Sequence, residues 1–157
     1  EVVDRLFKDG MGLVEIAAAY LDGPGREESR KLDRELALVY AAESMEVTTR
    51  LMQSASWLVV QRAVREKDMT AEEAGDEKYR IAPIEEIHPV DRNALPARLC
   101  DLIDQSRALY ERVWRLDDAL YSSETKPTEN LVMKQIDRLR NAAEGGAFDP
   151  LAIWREK

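Results

Sequence analysis

The segment ALVYAAESMEVTTRLMQSASWLVVQRAV, Ala37 to Val64, decides the fold, because it runs without a proline or a glycine and its apolar residues keep a helical beat. Leu38, Ala41, Met45, Thr48, Met52, Ala55 and Val59 recur at alternating steps of three and four, the spacing of a bundle-helix seam. A second stripe of Tyr40, Val47, Leu51 and Leu58 lies beside it. Two adjacent stripes let one helix contact a neighbour on each, as the central member of a bundle must. With an N-cap between Ser29 and Asp33, the helix is expected over about residues 31–67. At 1.5 Å per residue that is a rod of roughly 50 Å.

On the N-terminal side, Val3, Leu6, Phe7, Val14, Ala17 and Leu21 predict a first helix over about residues 2–21. Asp22-Gly23-Pro24-Gly25 should stop it, with Gly23 free to take a left-handed cap and Pro24 unable to continue the hydrogen bonding. Gly10 and Gly12 lack the strand and third glycine of a dinucleotide loop, so close helix packing is the better reading. On the C-terminal side, Leu99, Leu102, Ser106, Leu109, Val113, Leu116 and Leu120 form the cleanest seam, predicting a third helix over about residues 95–121 with Asn93 as its cap and Pro96 in its first turn. The fold class expected is all-α, an antiparallel three-helix bundle with a long central helix.

Between the second and third helices lies an acidic connection. Asp68, Glu72, Glu73, Asp76, Glu77, Glu85, Glu86 and Asp91 stand against Lys78 and Arg80 there, so most of the net charge of −8 sits in one stretch. Thr70 and Glu73 have capping-box spacing and predict a short helix over Ala71 to Lys78, weakened by Gly75. Tyr79 to Leu95, with Pro83 and Pro89, reads as a loop of functional length. Beyond the bundle, expected to end at residue 121, residues 122–157 read as a linker, a short helix through Val132, Ile136 and Leu139 ended by Gly145-Gly146, and a weakly ordered tail with Phe148, Pro150 and Trp154.

Composition excludes several functions. The chain has 157 residues, 45% hydrophobic and 34% charged, enough to enclose one core. Its longest apolar run, Leu36 to Ala42, falls far short of the roughly 20 residues of a membrane span. The acidic balance and the lack of a basic stripe argue against direct nucleic-acid binding. Cys100 is the only cysteine, which leaves no intramolecular disulfide or cysteine-based metal site, and a reducing, cytoplasmic setting is expected.

Chemistry is hard to find in the remaining residues. His88 is the only histidine, so a di-iron bundle with two Glu-x-x-His motifs is impossible. Pro89 disfavours the helical geometry a phosphotransfer histidine needs at His88. His88 with Cys100 lacks an orienting motif or a glycine-rich oxyanion turn. Glu43 and Glu46 read as a solvated face, and Glu46 with Arg50 as an i,i+4 ion pair. No catalytic residue, metal or cofactor is therefore expected. Trp57 and Trp114 fall off the seams, so they either widen the buried face or, with Arg107 and Tyr110, line a partner or dimer surface, where Trp, Tyr and Arg serve as anchors.

AAAYLDGPGREES (Ala17 to Ser29), the Ala37–Val64 segment and LPARLCDLIDQSRALYERVWRLDDAL (Leu95 to Leu120) resemble the alphaproteobacterial regulator of CtrA degradation family, a family of domains of unknown function. The likeness covers roughly residues 7–121. It implies a homodimeric three-helix bundle without catalytic residues, working as a cell-cycle adaptor that links cargo, including transcription regulators, to the ClpXP protease. A structural homo-oligomer, or a scaffolding bundle in another pathway, is the alternative the residues leave open.

Overall fold

The computed structural model describes residues 1–84 and 91–122. His88, the predicted fourth helix, the Gly145-Gly146 stop and the tail lie outside the described residues. Glu1–Ala119 form one compact unit. Its helices are α1 (Val2–Asp22), α2 (Pro24–Ser29), α3 (Arg34–Glu66), α4 (Ala71–Ala74) and α5 (Ala97–Asp117), with single 3-10 turns at Glu77–Tyr79 and Arg92–Ala94. A π-helical turn covers Asp118–Ser122. The three long helices are those the seams predict, and α3 packs against both α1 and α5 as the central member.

Local chemistry fixes each boundary. Asp33 caps α3, its carboxylate accepting the Leu36 N–H at 2.9 Å. At the other end Lys67 takes the left-handed conformation, φ 66°, and its N–H returns to the carbonyls of Ala63 and Val64. A glycine usually fills that position, so Lys67 carries the strain of a Cβ there. The capping box is complete: the Glu73 N–H donates to Thr70 Oγ1 at 3.1 Å and the Thr70 N–H donates to Glu73 Oε2 at 2.8 Å. Yet α4 stops at Ala74, because Gly75 follows it and Asp76 opens a 3-10 turn, its carboxylate accepting from the Lys78 N–H.

Two other boundaries differ from the sequence reading. Gly23 is not left-handed (φ −118°), and the chain re-enters a helix at once, with Pro24 in the first position of α2 where its missing N–H costs nothing. Gly25 is indispensable at this corner: a Cβ there would collide with the Tyr40 hydroxyl and come within 2.7 Å of the Tyr20 carbonyl. Asn93 does not cap α5: Pro96 holds that position without a side-chain hydrogen bond, and Asp91 caps the preceding 3-10 turn over Arg92–Ala94. That turn is held on α5 by a two-pronged Arg92–Asp104 ion pair at 2.6 and 2.9 Å.

The core lies along α3. Leu6, Leu13, Ala17 and Tyr20 of α1 and Leu99, Leu102, Leu109 and Val113 of α5 close on Tyr40, Val47, Leu51 and Leu58. Gly10 sits where α1 comes nearest, so that a Cβ would touch both Leu58 and Leu109 at 3.4 Å, whereas one at Gly12 would meet nothing within 4 Å. Close packing therefore accounts for Gly10 alone.

The α5 seam is buried from Leu99 to Val113, as its spacing predicts. The α3 seam is not. Leu38 is 66% exposed, Met45 70%, Met52 56% and Val59 52%, while the second stripe holds the core. The reason is polar. The inward positions of α3 also step by three and four, through Tyr40, Glu43, Val47, Arg50, Ser54, Trp57 and Gln61, but four of these are polar or charged. An apolar count thus selects the outward stripe. Glu43, expected in solvent, is one of the buried residues, and only Glu46 of that pair is exposed.

Candidate protein-binding surface

On the outer face of α3, the exposed residues from Leu38 to Val59 are Leu38, Ala41, Ala42, Met45, Glu46, Thr48, Thr49, Met52, Gln53, Ser56 and Val59. Glu46 is the only charge among them. Surface helices ordinarily turn charged residues to water, and a long stripe with a single charge and methionines at its centre is a candidate protein-binding face. Two hollows flank it. A cavity of about 400 Å³ lies between Met52, Gln53, Ser56, Trp57 and Val60 of α3 and the segment Lys78–Ala82. Another, of about 340 Å³, lies by Leu21, Tyr40, Ser44, Met45, Thr48 and Thr49.

The four residues singled out as a partner or dimer surface separate into two pairs. Trp57 and Tyr110 are 2% and 4% exposed and belong to the interior of the subunit. Trp57 Nε1–H donates to Asp117 Oδ1 at 2.8 Å, and the other oxygen of that fully buried carboxylate accepts from Arg80 Nε at 2.8 Å. Tyr110 donates its hydroxyl to the Ala82 carbonyl at 2.9 Å, and burial pushes its pKa up, keeping the phenol protonated. Together they pin the start of the acidic connection against α3 and α5. Their off-seam positions therefore reflect an internal polar clamp, a correction to a surface role for these two. Arg107 and Trp114 are half-buried and stand seven residues apart on α5. That spacing puts them on one face of the helix.

Sequence reasoning missed Asp117 and Arg80, whose roles appear only when residues 37 apart in the chain meet. It also missed the polar interior. Arg50 donates to the Ser106 hydroxyl at 3.0 Å and reaches Glu46 only at 3.9 Å. Burial, and then the nearby Arg107 charge, depress its pKa. One signal was available: Tyr40 and Trp57, the bulkiest side chains of α3, share a stripe with Val47, and aromatics of that size rarely face solvent.

Among the described residues no group of three or more His, Cys, Asp or Glu side chains is placed to hold a metal ion. The Cys100 thiol donates weakly to the Arg92 carbonyl at 3.6 Å, and burial raises its pKa, away from a reactive thiolate. No helix among the described residues is long and apolar enough to cross a membrane.

Comparison with known proteins agrees with the resemblance carried by the three long segments. The family model described as "Protein of unknown function (DUF1465)" matches residues 1–143. No curated protein matches. Among solved structures, the crystal structure of RcdA from Caulobacter crescentus CB15 is 52% identical, covers 78% of this chain and 92% of its own, and superposes with a TM-score of 0.66. The chain belongs to the DUF1465 family and is a relative of the Caulobacter regulator of CtrA degradation.

Proposed function

We propose that this protein is a non-enzymatic, cytoplasmic adaptor that self-associates through the outer stripe of α3 and links cargo proteins, such as transcription regulators, to the ClpXP protease. The observation that supports it is the nearly uncharged stripe itself: Leu38, Met45, Met52 and Val59 expose apolar surface in a helix whose other side already fills the core. Surface of this kind is costly unless a partner covers it. The 52% identity to RcdA supports placing it in the same kind of regulation. An adaptor of this design works by tethering, which raises cargo concentration at the protease without any chemistry of its own. Once α3 is covered, Arg107 and Trp114 remain on α5 as a contact for cargo, and the segment after residue 122 supplies a further one.

Reconstituted degradation tests the proposal. Purified ClpXP with a transcription-regulator cargo should degrade faster with this protein present. Arg107→Ala with Trp114→Ala, or removal of residues 123–157, should slow delivery while the helical signal of the bundle persists. Equal degradation with and without the protein would refute the adaptor function. A pull-down recovering only copies of the chain would instead support a purely structural homo-oligomer.

A further inference from the structure

We infer that the face of α5 bearing Arg107 and Trp114 binds an extended acidic and apolar segment of a partner protein, its carboxylate on Arg107 and its apolar side chain on Trp114, a reading that rests on the cargo contact proposed above and adds its chemistry.

The distribution of charge singles out Arg107. The acidic residues one turn away on α5 are already engaged: Asp104 holds Arg92 at 2.6 and 2.9 Å, and Glu111 faces Arg115 at 3.7 Å. On α3, Glu46 stands 3.9 Å from Arg50. Arg107 makes no hydrogen bond or ion pair among the described residues. A second guanidinium lies close to it. Arg50 is 4% exposed and donates to Ser106, the neighbour of Arg107, at 3.0 Å, while its Nη2 is buried without a hydrogen-bond partner. Burial first, and then the Arg107 charge, depress the Arg50 pKa, so the two cations sense each other. An incoming carboxylate relieves that repulsion and gives the Arg107 fork an acceptor. The rest of the chain works against acidic ligands, since its net charge is −8, so their binding depends on this one place.

Trp114 supplies the second contact. Its half-buried indole makes no hydrogen bond among the described residues, whereas Trp57 spends its N–H on Asp117. A ring that is apolar on its face and a donor at its edge is the form in which Trp anchors a partner. Seven residues of helix set it about 10 Å from Arg107 along the axis. In the polyproline II form common in unfolded chains, residues three apart lie on one side of the chain about 9 Å apart. A segment of the type Glu-x-x-Leu therefore reaches both groups at once.

Fluorescence anisotropy of a labelled peptide of four Glu-Ser-Ser-Leu repeats, titrated with the full-length protein, tests the assignment. The peptide should bind, and less tightly as salt rises. Replacing every Glu by Gln should weaken binding roughly fivefold or more. Arg107→Gln should abolish the difference between the two peptides, and Arg107→Lys should keep part of it. Trp114→Ala should weaken both peptides alike and preserve their ratio. Arg107 has no bonds to lose within the subunit, so unchanged helical circular dichroism is expected in both of its variants. Equal binding of the Glu and Gln peptides, a Glu preference that survives Arg107→Gln, or no binding of either peptide would overturn the inference. The adaptor function fails separately, if purified ClpXP degrades cargo no faster with the protein present.

Discussion

The inner and outer faces of α3 contain similar numbers of residues and opposite kinds. Inside, Glu43, Arg50, Ser54 and Gln61 are interleaved with Tyr40, Val47, Leu51, Trp57 and Leu58; outside, methionine, leucine and valine alternate with alanine and threonine. A helix that only had to fold would reverse this. The difference teaches that α1 and α5 close on the inner face of α3, polar residues included, while α3's most regular apolar stripe stays exposed in the subunit. The polar residues of the inner face work as fixed connections: Asp117 joins Trp57 to Arg80, and Ser106 receives Arg50.

The strongest way to break the inner face is to remove its hub. Asp117→Ala leaves the Trp57 indole N–H without its acceptor and removes the buried carboxylate to which Arg80 donates, and breaking a buried charged pair costs up to about 3–5 kcal/mol. Urea unfolding should show a midpoint lowered accordingly; a loss below about 1 kcal/mol would mean the clamp is dispensable. A sharper contrast uses neighbours in sequence. Leu51 is 3% exposed and Met52 56%. Leu51→Ala should cost about 2–5 kcal/mol and Met52→Ala within about 0.5 kcal/mol when measured on the monomer, where the outer stripe is uncovered.

Ser54 gives a smaller, opposite effect. It is fully buried and its hydroxyl has no hydrogen-bond partner, so Ser54→Ala should be neutral or stabilise by up to about 1 kcal/mol, read from the same titrations. Smallest is a pH dependence on the solvent side. Arg92, through its hydrogen bonds, holds the Asp104 carboxyl below its ordinary value of 3.8. Its folded pKa being depressed, this pair contributes stability above the unfolded pKa and loses it as the pH falls through the folded value. Asp104→Asn should therefore flatten the acid end of the stability profile; an unchanged slope below pH 4 would remove the pair from the account.

The helices were legible because their signals are local. Spacing, the Asp33 cap and the Thr70–Glu73 box act within a turn or two of the chain, and the three long helices sit where they place them, while α4 is shorter and Pro24 opens α2. Which face of α3 points inward was not legible, since an apolar count weighs Met45 above Arg50 and has no term for a partner such as Ser106 across the bundle. The clamp was hidden for the same reason: Trp57 and Asp117 are 60 residues apart, and nothing near either names the other. The outer stripe was in view from the start, but as a packing seam; the stripe beside it fills the core instead and leaves Leu38, Met45, Met52 and Val59 exposed.

The central claim, that α3's outer stripe is a protein-binding face used for self-association, is tested most directly by the solution mass of the protein with Met45→Glu and Met52→Glu. Both side chains are exposed in the subunit, so the variant should fold with unchanged helical content. Sedimentation equilibrium should give twice the 17.9 kDa chain mass for the parent and the single-chain mass for the variant. A monomeric parent, or a variant that remains dimeric, would contradict the account.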